Sequence, residues 1–296
     1  MNATASAVIP VTADDATPAP VSLGRTVAEI RKLLPGSGLQ EAARTSVRDV
    51  SRKRSQIFGK FYGATISTQF QPWRRPQDGA VVAVEAYARS QSRAGEGLSP
   101  WQSLADAAVD VALVTLDRLC RTVHALNFFA PAGAASALTP LVLNVDARLL
   151  HAVPERHGEF FGKVLGLLGV SPKQIVIDIR THQLLDLSRL RQILASYRRH
   201  GFSVAVNADG MIHARSLADL LVPDILMLDA LQFTPERLAR HAASLVRGGV
   251  QVAVKRIETA VQLAAASEAG VAWIQGFHLD MPATGTAAVI PKNSKT

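Results

Sequence analysis

The chain has 296 residues, 48% of them hydrophobic, and a formal net charge of +8 from 32 basic and 24 acidic side chains. A single α/β barrel of about 200–250 residues would absorb most of that length. The lone cysteine, Cys120, excludes an internal disulfide and therefore a secreted, disulfide-built fold.

Residues 1–22 are rich in Ala, Thr, Val and Pro without any period and read as a disordered tail. Val27, Ile30, Leu33 and Leu34 then give a short helix over Leu23–Leu34, ended by Pro35-Gly36. A second helix is expected from Gln40 to Phe61, with Val47, Val50, Ile57 and Phe61 on one face. Arg44, Arg48 and Arg52 recur every four residues on another. Residues 23–61 thus form a basic, helical extension. Residues 1–75 hold 11 basic and five acidic side chains (11 − 5 = +6), and the rest of the chain contributes only +2. Such a segment suits an anion, an acidic protein face or nucleic acid, and equally a solvated helix.

Beyond Tyr62, β-rich runs alternate with longer helical ones. Strands are expected at Thr65–Gln71 and Ala80–Ala86, around the turn Pro76-Gln77-Asp78-Gly79. A long helix over Ser103–Leu126 and a break at Pro131-Ala132-Gly133 follow. Further strands are expected at Leu141–Val145, Ile175–Ile179, Ser203–Val206, Ile225–Leu228, Gln251–Val254 and Trp273–Gln275. The intervening helices are Phe160–Leu168, Leu187–His200, Ala214–Leu221, Pro235–Val246 and Ala260–Ala269. This alternation predicts parallel β/α units. No Gly-rich phosphate loop follows the first strand, so a closed barrel is favoured over a dinucleotide-binding sheet. No apolar run reaches about 18 residues, and no basic-then-apolar leader opens the sequence, so a cytoplasmic protein without a membrane span is expected.

Barrel chemistry sits at the C-terminal ends of the strands. Glu85, Asn144, Asp178, Asn207, Asp229, Lys255 and Gln275 fall at or just beyond those ends. The eight histidines show no paired spacing of a metal site.

These strand ends carry a resemblance to the EAL family of cyclic di-GMP phosphodiesterases. Phe70-Gln71-Pro72 resembles the family's Gln-Pro, and Glu85-Ala86-Tyr87-Ala88-Arg89 resembles its Glu-Ala-Leu with the following Arg. Leu143-Asn144, Ile177-Asp178-Ile179, Asn207-Ala208-Asp209-Gly210 and Leu226-Met227-Leu228-Asp229 follow in the family's order. Lys255-Arg256-Ile257-Glu258-Thr259 and Gln275-Gly276-Phe277 with Pro282 complete the series over roughly residues 65–285. The resemblance implies a TIM-like (β/α)8 barrel of EAL type over 62–288, preceded by the basic extension and followed by a flexible tail over 289–296.

The family's reaction resembles two-metal phosphodiester hydrolysis, which needs several anionic oxygen ligands. Against that pattern Asp178 stands for Glu, Asn207 and Ala208 for two Asp, Met227 for Lys and Lys255 for a Glu. The resemblance therefore implies a degenerate phosphodiesterase with no catalytic set and no divalent metal. Gln71, Pro72, Glu85, Arg89, Asn144, Asp229, Glu258 and Gln275 remain as candidate ligand-binding residues, with Arg89 suited to a phosphate. Lys255 is expected to take the missing metal's place by neutralising Glu85, Asp178 or Glu258. The functional expectation is a regulator acting by protein–protein interaction. The alternative is a cyclic di-GMP receptor that does not cleave. A homodimer is one further option, and nucleic acid is the least favoured partner because basic and aromatic residues are not interleaved.

Overall fold

The computed structural model describes residues 23–35, 38–44, 54–91, 97–98, 110–130, 139–145, 150, 158–180, 186–208, 211–286 and 289–290. The expected tail over 1–22, the Pro131-Ala132-Gly133 break and Asp209-Gly210 lie outside them.

Eight strands close into a barrel: β3 (Ala64–Arg74), β4 (Val81–Gln91), β6 (Leu141–Val145), β7 (Ile175–Arg180), β8 (Ser203–Asn207), β9 (Ile225–Asp229), β10 (Val252–Lys255) and β11 (Trp273–Ile274). From β4 to β11 neighbours run parallel, while β3 lies antiparallel to both β4 and β11 and closes the ring. The inversion arises because β3 and β4 are joined by a tight turn instead of a helix. Asp78 accepts from the Ala80 N–H (3.0 Å), and Gly79 supplies φ 69°.

Every parallel connection carries a helix: α2 (Asp110–Phe129), α3 (Glu159–Leu168), α4 (Leu187–Arg199), α5 (Met211–Leu221), α6 (Pro235–Arg247) and α7 (Ala260–Glu268). Several of these helices start on the capping residues that the sequence supplies. Asp186, Thr234 and Thr259 accept from first-turn N–H groups, and Thr259 forms a capping box with Gln262. Along the parallel strands side chains alternate. Val84, Leu143, Ile177, Val204, Leu226 and Val254 face the helices, and Val142, Val176, Ala205 and Ala253 fill the barrel interior with Trp73 and Trp273. No described helix is long and apolar enough to cross a membrane.

The N-terminal extension departs from expectation. Its first helix, α1 (Leu23–Leu33), is present and buries Val27 and Ile30 in the main core. The helix expected over Gln40–Phe61 is not formed by its described residues, 40–44 and 54–61; residues 45–53, with Arg48 and Arg52, lie outside the described residues. Gln40–Arg44 is a strand, β1, paired antiparallel to β2 (Arg54–Phe61), which in turn pairs with β3. Long-range partners fix β2 as a strand. The Asn127 side chain accepts from the Ile57 N–H and donates to its carbonyl, both at 2.8 Å. A Cβ on Gly59 would come within 2.8 Å of Leu119, so only glycine lets the strand lie this close to α2. β5 (Gly97–Leu98) pairs antiparallel with the end of β4 at the other edge of the sheet. Val289, the first residue of the expected tail, is buried in the core.

Candidate functional site

The alternation that fills the barrel interior also builds the site. One step toward the strand C-termini from the apolar floor, the inward positions become Glu85, Asn144, Asp178, Asn207, Asp229 and Lys255, with Gln275 just past β11. On antiparallel β3 the corresponding step runs backward from Trp73 to Gln71, which lies opposite Glu85. Above this layer opens a cavity of about 520 Å³. It is lined by Gln71, Glu85, Tyr87, Arg89, Arg180, Asn207, Asp229, Gln232, Lys255, Arg256, Glu258, Gln275, Gly276, Phe277 and Pro282.

The carboxylates of this layer are already engaged. Glu85 accepts from Trp73 Nε1 (3.1 Å) with one oxygen and from Asn144 Nδ2 (2.7 Å) with the other. Asp178 is fully buried and accepts from Asn207 Nδ2, while the same amide's Oδ1 accepts from Lys255 Nζ. Burial pushes the Asp178 carboxyl up to about 6; Lys255 pulls against that rise and Glu85 adds to it. Asp229 accepts from Arg256 through one oxygen and from the Leu231 N–H (3.0 Å) through the other. Tyr87 donates to Gln275 Oε1 (3.1 Å), and burial together with the Glu85 charge holds its hydroxyl well above the ordinary tyrosine range. Two buried polar atoms in this layer, Asn144 Oδ1 and Gln275 Nε2, have no hydrogen-bond partner.

The rim is pinned from one side. Gln71 donates to the Asp280 carbonyl (2.7 Å), and Arg74 grips the Asp280 carboxylate at 2.6 and 2.8 Å. Gly276 passes so close to Ile257 that an added Cβ would stand 2.0 Å from its carbonyl oxygen. Arg256, directly after β10, takes φ 57°, a conformation that ordinarily selects glycine.

The structure thus gathers most of the residues picked from sequence. Gln71, Glu85, Arg89, Asn207, Asp229, Lys255, Glu258 and Gln275 all face the cavity, with Asn144 and Asp178 just beneath as partners of Glu85 and Asn207. Pro72 is not part of it, because it occupies the alternate position on β3 and is buried off the cavity lining. Ala208 faces outward into the core that packs on the helices, and its N–H bonds the Met227 carbonyl (2.9 Å). Met227 lies wholly within the apolar floor. Lys255 reaches Asp178 only through Asn207, not by the direct pairing expected. The site also includes Arg180, Arg256, Tyr87 and Trp73, which the sequence reading does not assign to it. Arg180 and Tyr87 lie two positions beyond Asp178 and Glu85, a strand period that would have found them.

Among the described residues, no group of three or more His, Cys, Asp or Glu side chains is placed to hold a metal ion.

The family model of the EAL domain matches residues 60–282. No curated protein matches the sequence. Among solved structures, the YkuI protein of Bacillus subtilis, with an EAL domain and in complex with cyclic di-GMP and calcium, superposes with a TM-score of 0.62. It is 24% identical, and the match covers 74% of this chain and 56% of that one. The FimX EAL domain from Pseudomonas aeruginosa bound to cyclic di-GMP gives 0.62 at 19% identity, covering 74% and 91%. BlrP1 of Klebsiella pneumoniae with manganese and cyclic di-GMP gives 0.61 at 21% identity, covering 88% and 65%. The chain therefore spans little more than half the length of YkuI. At these identities the likeness establishes the fold.

Proposed function

The chain belongs to the EAL domain family, and from that premise we propose that it is a non-catalytic EAL domain acting in cyclic di-GMP signalling through a protein partner. One observation carries this reading: the Asn207 amide, itself held by the ammonium of Lys255, takes up a ligating oxygen of Asp178. Hydrolysis by two divalent cations needs anionic oxygens free to ligate. The donor set here does not fit such a pair. Both oxygens of Glu85 and both of Asp229 accept hydrogen bonds, Ala208 faces away, and Met227 brings no amine to orient a water. The test is incubation with cyclic di-GMP and millimolar Mg²⁺ or Mn²⁺. The expected result is no linear product above the protein-free blank. Turnover that scales with protein and disappears in Glu85→Ala would overturn the reading.

A protein partner is favoured by the rim, where Phe277 lines the cavity and is 57% exposed, and Met281, next in sequence to the lining residue Pro282, is 63% exposed. Exposed large apolar side chains at a concave mouth suit a protein contact. A second reading, a receptor that holds cyclic di-GMP without cutting it, is favoured by the cavity itself. Its volume falls in the range of ligand sites, and Arg89 and Arg180 line it without an ion pair among the described residues. Calorimetry with cyclic di-GMP separates the two. Saturable heat that is lost in Arg89→Ala establishes the receptor, and its absence leaves the interaction module.

A further inference from the structure

Resting on the non-catalytic reading, we propose that Lys255 and Arg256 are the built-in counter-cations of the barrel mouth, standing where the family's chemistry places divalent metal. The charges around the cavity balance without any ion. Glu85, Asp178, Asp229 and Glu258 supply four negative charges, and Arg89, Arg180, Lys255 and Arg256 supply four positive ones.

Lys255 points into the mouth because it follows Ala253 by the strand period, and Ala253 belongs to the apolar floor. Its ammonium can only donate, and a carboxylate can only accept. The Asn207 amide therefore has one orientation that serves both, its oxygen toward Lys255 and its nitrogen toward Asp178. The amide dipole relays the cation's stabilisation to a carboxylate that the lysine does not touch.

Arg256 would point away from the mouth if β10 continued, since successive strand residues face opposite sides. Its left-handed backbone breaks that alternation, and both cations line the same cavity. The guanidinium meets Asp229, which also caps the turn Ala230–Gln232. A strained conformation that brings two consecutive cations onto two acidic strand ends is a placement device. The consequence is a barrel mouth whose stability is independent of divalent metal.

Thermal melting of the full chain tests this. The wild type is expected to melt at the same temperature in millimolar Mn²⁺, Ca²⁺ or chelator. Lys255→Met strands the buried Asp178 and lowers Tm by roughly 5 °C or more. Adding Asp178→Asn to that variant removes the stranded charge and restores most of the loss. A wild-type gain above about 4 °C in Mn²⁺, the scale of a bound stabilising ligand in a domain this size, overturns the proposal. So does a Lys255→Met loss that Asp178→Asn leaves unchanged. Metal stabilisation without cleavage of cyclic di-GMP sinks this proposal alone, whereas cleavage sinks the non-catalytic reading beneath it.

Discussion

Position 256 offers a comparison whose sign the structure decides. Arg256 holds φ 57°, where an L side chain costs about 1–2 kcal/mol relative to glycine. Against this, its ion pair with Asp229 contributes up to about 1 kcal/mol, because the guanidinium is half exposed and screened. Arg256→Ala loses the pair and keeps the strain. Arg256→Gly loses the pair and releases the strain, but returns about 0.5–1 kcal/mol through the greater freedom of the unfolded chain. The net difference favours glycine over alanine by about 0.5–1 kcal/mol, which in a domain of this size is a Tm higher by roughly 1–4 °C. Far-UV circular dichroism melts of the three proteins, at low and high salt, read it directly. Salt should narrow the gap between wild type and Arg256→Ala while leaving the gap between the two variants unchanged. An alanine variant that melts at or above the glycine variant would refute the argument that the backbone here is strained.

Gly276→Ala forces a side-chain carbon into the Ile257 backbone, and a loss of about 3 kcal/mol or more is expected, read as a collapse in Tm and soluble yield. Asn127→Ala strands the buried N–H and carbonyl of Ile57; urea unfolding should show a loss of about 2–4 kcal/mol, with faster amide exchange along β2. His124 is buried against Thr68 Oγ1 (2.7 Å), and burial lowers its pKa to about 3 from an unfolded value of 6.5. The unfolded chain binds the extra proton between those values, so this contribution is complete above about pH 6.5 and is lost as pH falls toward about 3. His124→Gln should flatten the dependence of Tm on pH in that window, and an unchanged slope would refute the assignment.

The barrel was legible because its strands are short apolar runs with turn signals between them, a pattern that depends only on neighbouring residues. The boundaries of β6 coincide with the expected Leu141–Val145, and those of β7, β8 and β9 differ by a single residue at the C-terminal end. The misreading of Gln40–Phe61 has a different origin. Arg44, Arg48 and Arg52 recur at a helical interval, whereas what makes β2 a strand lies 60 to 70 residues away, in Leu119 and Asn127. No local pattern encodes that partnership.

The site divides along the same line. The strand-end rule found Glu85, Asn144, Asp178, Asn207, Asp229, Lys255 and Gln275 from position alone, and all of them sit in the polar layer at the mouth. The rule stopped one strand period short of Arg180 and Tyr87. It also gives no reason to single out Trp73, whose indole N–H holds Glu85. Arg256 was illegible for a physical reason. An arginine after a strand gives no sign of a left-handed backbone, and without that conformation the alternation rule sends its side chain to the wrong face. The resemblance carries a hint, since the family's motif set against Lys255-Arg256-Ile257-Glu258-Thr259 reads Glu-Gly-Val-Glu-Thr, with glycine where this chain has Arg256. A glycine position filled by a cation, next to an acid position also filled by a cation, makes the two departures one local change at the end of β10. That coupling is why Lys255 and Arg256 are best tested together, and why the charge balance of the mouth rather than any single lost ligand is the quantity to measure.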